Sequence, residues 1–170
     1  MRRRFLVLAT MLAALTLAAS LPAVAGGRTT KILEAQTMVG VPTGLTGAAG
    51  AIGTINGAGL PWVIGTAKAD LAVDGTFEVR FSDLLFADET AVPVALRGTN
   101  TQATMRAGVS CLTTSGARTA VLTSPFPVTT GAGAGDGSVE ATLVLPSPCV
   151  APVILITNAN GTSWFAASGD

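Results

Sequence analysis

An all-β chain, folded as an antiparallel β-sandwich of about seven strands, is what three observations predict. Short runs of alternating apolar and polar residues recur at regular spacing. Glycine and proline, 20 and 9 of the 170 residues, punctuate the gaps between those runs. No window beyond residue 25 sustains a helical stripe with caps, although Asp83 to Val92 has room for a single helical turn. Elements of this kind bury their apolar faces by packing sheet on sheet. An immunoglobulin-like strand order is compatible with the count, but no tryptophan lies between the two cysteines, so the antibody-type core is absent.

In chain order, residues 26–60 form a glycine-rich N-terminal segment, read as partly loose. Gly26 to Gln36 is a polar lead-in. Gly40 to Gly59 then carries Gly44, Gly47, Gly50 and Gly53 at a period of three, too short and too poor in proline for a collagen-like helix. The core begins at residue 61 and runs to 170. Ala69, Leu71 and Val73, then Phe77, Val79 and Phe81, alternate with Lys68, Asp70, Glu78 and Arg80, which makes a hairpin around Asp74-Gly75. Opposed residues must share a face, so a two-residue loop is excluded and a three-residue loop leaves two registers. Either Gly75 is the left-handed residue of a bulge and Ala72 faces Thr76, or Val73 faces Phe77 and Asp70 faces Arg80.

Further strands are expected over Gln102 to Leu112, Arg118 to Thr123 and the alternating Val139, Ala141, Leu143, Leu145. A turn near Thr114-Ser115-Gly116 separates the first two, and Gly131 to Gly137 reads as a mobile surface loop. Val153 to Thr157 and Thr162 to Ala167 flank Asn158-Ala159-Asn160-Gly161 and close the chain as a hairpin.

Cys111 and Cys149 are the only cysteines, and an even count in an exported chain reads as a disulfide. Cys111 ends the run Ala103, Met105, Ala107, Val109, Cys111, so its side chain faces the core. Cys149 lies among Pro146, Pro148 and Pro152, which suppress regular pairing.

Export is written in the first 25 residues. Arg2, Arg3 and Arg4 form a positive start, Phe5 to Leu21 is apolar, Pro22 breaks the helix, and Ala23-Val24-Ala25 supplies the small residues of a cleavage site before Gly26. The stretch is just long enough to span a bilayer, but Thr10, Thr16, Ser20 and Pro22 dilute it and a cleavage site ends it. The general secretory route fits best; the arginine pair also resembles a twin-arginine signal with a very short start. Seven of the ten basic residues and all ten acidic ones lie after residue 25, so the mature chain is mildly acidic. It carries no basic run, which argues against nucleic acid or anionic membrane as a partner.

Three stretches resemble small uncharacterised exported β-domain proteins of high-GC bacteria: Val109-Ser110-Cys111, Phe126-Pro127 with Gly135-Asp136-Gly137, and Leu145-Pro146-Ser147-Pro148-Cys149 through to Trp164-Phe165-Ala166. The resemblance covers about the last 65 residues. It implies a β domain with a bridged C-terminal half and transfers no site, because no activity is attached to that group.

The chain has no histidine and no tyrosine, which removes Ser-His-Asp and Cys-His catalysis and histidine metal ligation. The glycines of 131–137 fit neither a phosphate-binding loop nor a calcium-binding repeat. Carboxylates remain in numbers. Asp70, Asp74 and Glu78 around one turn, and Asp83, Asp88 and Glu89 beyond it, read most simply as solvated faces. A carboxylate hydrolase would need two of them across a cleft, and a calcium site would need the second trio to converge. Trp62 and Trp164 are the candidate ligand-binding residues, since exported β-sandwiches use exposed aromatic rings as platforms; the alternative is that both rings cover the core. Asn160-Gly161-Thr162 matches a glycosylation sequon but also the residues the turn demands.

The expectation is therefore a secreted, non-catalytic binding or structural domain without metal or cofactor. Its partner would be a protein or a cell-surface polysaccharide, met by an exposed tryptophan, by the loop Pro125 to Gly137 or by an open sheet edge.

Overall fold

The computed structural model describes residues 29–168, so the expected signal peptide, residues 1–25, lies outside the described residues. The described chain is all-β. Its strands are β1 (Lys31–Ala35), β2 (Met38–Gly40), β3 (Asn56–Gly57), β4 (Trp62–Val63), β5 (Thr66–Ala72), β6 (Thr76–Ser82) and β7 (Leu85–Phe86). They continue with β8 (Thr99–Asn100), β9 (Thr104–Leu112), β10 (Arg118–Leu122), β11 (Phe126–Pro127), β12 (Gly131–Ala132), β13 (Gly137–Thr142), β14 (Val150–Asn158) and β15 (Ser163–Ser168). A four-stranded sheet runs β1-β5-β6-β13, and a seven-stranded sheet runs β10-β9-β14-β15-β2 with β11 added to β9 and β3 to β15. The β3–β15 contact is parallel and every other ladder antiparallel.

Both sheets bury one face in a single core. Ala69, Leu71, Phe77, Val79 and Phe81 come from the first sheet, and Met105, Ala107, Val109, Ile154 and Ile156 from the second. Phe81 and Phe126 meet edge to face across the layers with ring centroids 6.3 Å apart. Asp83 to Val92 holds no helical turn; the chain makes a hydrogen-bonded turn from Val92 N–H to Glu89 O, and a 3₁₀ turn follows at Val94–Leu96.

The β5–β6 hairpin takes the first of the two registers. Leu71 faces Phe77 and Asp70 faces Glu78, so Ala72 and Thr76 flank a three-residue loop. Gly75 closes it at φ +84°, donating its N–H to Ala72 O at 3.0 Å. Val73 therefore sits in the loop, 60% exposed, rather than in the core face. Asp74 Oδ1 accepts the Thr76 N–H at 2.9 Å, and that bond to the charged form holds the Asp74 carboxyl below its ordinary value. A depressed folded-state pKa adds stability above the unfolded value and loses it as pH falls through the folded one. Urea midpoints measured between about pH 2 and pH 6 should thus decline in acid less steeply for Asp74→Asn than for the wild type. Parallel curves would show that the turn does not depend on that charge.

Residues 40–59 are packed, not loose, and their glycines show why. An added Cβ at Gly40 would lie 2.1 Å from Trp62 O, and one at Gly50 or Gly57 would lie 1.9 Å or 2.0 Å from Leu45 O. The segment winds around the Leu45 carbonyl so tightly that only hydrogen fits. It carries two 3₁₀ turns, Thr43–Leu45 and Gly47–Gly50, and buries Val41, Ile55 and Ala58 in the common core. With β1 in one sheet and β2 in the other, the boundary expected at residue 60 does not divide the fold.

Cys111 and Cys149 form a disulfide with Cα atoms 4.9 Å apart. It joins the buried end of β9 to residues 143–149, which cross from β13 of one sheet to β14 of the other.

Candidate functional site

The site begins with an irregularity in β15. Ile156 pairs with Ala166 and Thr157 with Trp164, which leaves Phe165 without a partner in β14. Such a bulge lets adjacent side chains serve different layers. Phe165 packs on Trp62 at a centroid distance of 4.4 Å, and Trp62 in turn on Phe86 at 4.2 Å. Trp164 instead reaches the glycine-rich segment, where its indole Nε1–H donates to Gly50 O at 2.7 Å. Ala58 N–H donates to Trp164 O at 2.9 Å, so segment and strand are tied twice.

Between that segment and β2 lies a cleft of about 340 Å³, lined chiefly by Val39, Pro42, Leu45, Ile52, Trp164 and Ala167. No charged side chain lines it. Its two polar side chains are engaged within the protein: the Trp164 indole as above, and Ser168 Oγ, which accepts the Ile154 N–H at 3.0 Å. Val39 and Leu45, 59% and 44% exposed, stand at the mouth beside the outer edge of the seven-stranded sheet. What this arrangement can do chemically is bury an apolar group beside the terminal strand of the sheet.

The structure places both candidate tryptophans in the core, Trp62 at 3% exposure and Trp164 at 4%. Neither presents a ring face to solvent, so the stacking platform read from the sequence is corrected: Phe86 and Phe165 cover one ring, and the glycine-rich segment covers the other. Trp164 keeps a role as the floor of the cleft. The loop Pro125 to Gly137 is stitched down rather than free. Phe126 and Val128 are buried, β12 pairs with β8, and Asp136 Oδ1 accepts the Asp83 N–H at 3.1 Å.

The carboxylates stay apart from the cleft. Glu34, Asp70, Glu78 and Glu140 are directly opposed across all four strands of the first sheet and form one row on its outer face. Lys31 bridges Glu34 at 3.0 Å and Asp70 at 2.8 Å, while Arg80 bridges Glu78 and, at 2.9 Å, Glu140. Hydrogen bonds to Asp70 and then Glu34 raise the Lys31 pKa, and those to Glu78 above all raise that of Arg80. Each cation thus screens two acids that would otherwise repel. In the second group, Glu89 takes the Thr43 hydroxyl, Asp88 pairs with Arg97 at 3.5 Å and Asp83 meets Ser82 at 3.4 Å, so the three do not converge. Among the described residues no group of three or more acidic or cysteine side chains is placed to hold a metal ion.

The cleft escaped the sequence reading because it forms only where residues 39–52 fold against the distant strand end at 164–168; the clustered glycines were its one local signal. Comparison with protein-family models, curated proteins and solved structures found no match.

Proposed function

We propose that this chain is an exported, non-catalytic binding domain. It takes an extended segment of a partner protein along the outer edge of β2 and seats one apolar side chain in the cleft above Trp164. The observation that carries this reading is the cleft itself, apolar, free of charged lining and adjacent to a sheet edge. Strand addition supplies main-chain hydrogen bonds, and a pocket beside the edge selects the side chain. The apolar start of the chain, its cleavage motif and the cysteine bridge support an extracellular setting. Among the described residues no helix is long and apolar enough to cross a membrane.

The test is selection of a phage-displayed library of random linear peptides on the immobilised mature chain. Peptides with apolar residues at alternate positions should be enriched, and their binding should fall at least about tenfold on Ala51→Trp, which fills the cleft. Failure to enrich, or enrichment indifferent to that substitution, would overturn the reading.

A further inference from the structure

A second surface stands out at the crossing between the sheets. Among the described residues Val144 is the most exposed large apolar side chain at 87%, yet its neighbour Leu143 is 5% exposed and Leu145 is half-buried. The segment is anchored on both sides of that valine. On one side Thr142 pairs with Thr76, and Leu143 N–H donates to Gly75 O at 2.9 Å. On the other, Pro146 and Pro148 stiffen the backbone and Cys149 is bonded to the fully buried Cys111. Residues 144–146 are neither helical nor paired in a sheet. Val94, the next most exposed at 77%, sits in a 3₁₀ turn, whose curl cannot lie along a cleft.

We propose that this segment is a substrate-like inhibitory loop for a serine endopeptidase with a small aliphatic specificity pocket, which Val144 occupies. A single projecting aliphatic side chain on a pre-braced backbone is what such a pocket recognises, and bracing removes most of the ordering cost of binding. The bracing also governs the chemistry. Addition of the enzyme's serine hydroxyl to the Val144 carbonyl forms an ester and breaks the Val144–Leu145 amide, and the hydroxyl's proton passes to the Leu145 nitrogen, which leaves as a neutral amine. Because Cys149 and the prolines hold that new end in place, the amine re-attacks the ester, the amide re-forms and the serine regains its proton. The enzyme is occupied instead of turning over.

The experiment titrates elastase-type and subtilisin-type serine endopeptidases with the mature chain against a chromogenic peptide substrate. Inhibition near one to one is expected for at least one enzyme, weakened by more than about 100-fold in Val144→Gly. Val144→Arg should transfer inhibition to a trypsin-type enzyme. The side chain is almost wholly exposed, so both variants should keep the wild-type melting temperature, which separates loss of contact from loss of fold. Absence of inhibition, or steady cleavage after Val144 without inhibition, would overturn the proposal. Ala51→Trp should leave the inhibition unchanged, so this site and the β2 cleft fail or stand independently.

Discussion

Removing the disulfide by Cys111→Ala with Cys149→Ala is expected to lower the unfolding free energy by about 4 kcal/mol. The figure follows from the separation of 38 residues, whose closure the unfolded bridged chain has already lost as entropy. A domain of this size holds about 5–15 kcal/mol in all, so the loss consumes a large part of it. The bridge also ties the inter-sheet crossing to the buried end of β9, where Val109 and Cys111 have no solvent exposure. Denaturant titration of the double variant, with and without reductant, measures the effect. A change below about 1 kcal/mol would show that packing of Leu143 and Leu145 alone holds the crossing.

Trp164→Ala should cost about 3–5 kcal/mol, the range for deleting a large buried ring. The loss arises where β15 meets the glycine-rich segment, so that segment should detach first and become sensitive to proteolysis between Gly44 and Gly59. Trp164→Phe separates the two contributions. It keeps most of the apolar volume but leaves the Gly50 carbonyl without its donor, a cost of about 1–3 kcal/mol for a buried acceptor. Equal losses in both variants would assign the tie to the hydrogen bond. Near-neutral behaviour of Trp164→Ala would contradict the packing described here.

The local half of this fold was legible. Alternation located β5, β6, β9 and the final hairpin, and it aimed Met105, Ala107, Val109 and Cys111 at the core, where all four are fully buried. Asn158 and Gly161 marked the last turn, closed by Gly161 N–H to Asn158 O at 2.9 Å. What stayed hidden depended on partners distant in the chain. Parity left two registers for the first hairpin, and the favourable pairing of Asp70 with Arg80 did not form. Arg80 turns instead to Glu78 and Glu140, and Glu140 belongs to a strand that joins the sheet some 60 residues later. The segment 40–59 looked loose because hydropathy and periodicity register side chains, whereas Gly40, Gly50 and Gly57 pack where a carbonyl oxygen leaves no room for a Cβ. For the tryptophans, no local pattern tells a ring that binds a ligand from one that another segment will cover.

The row of acids on the first sheet bears on how copies of this protein meet. It ends at Glu140 on one open edge and at Glu34 on the other. A second molecule adding edge to edge in the same register would bring Glu34 beside Glu140 and lengthen the row of acids without adding a cation between those two. Each further copy would meet the same repulsion, so the row acts as a brake on sheet-to-sheet aggregation along the one direction in which unpaired backbone invites it. Within one molecule Lys31 and Arg80 offset the row, each pairing with one edge acid and one interior acid, and a second copy would bring two edge acids together with no further cation between them.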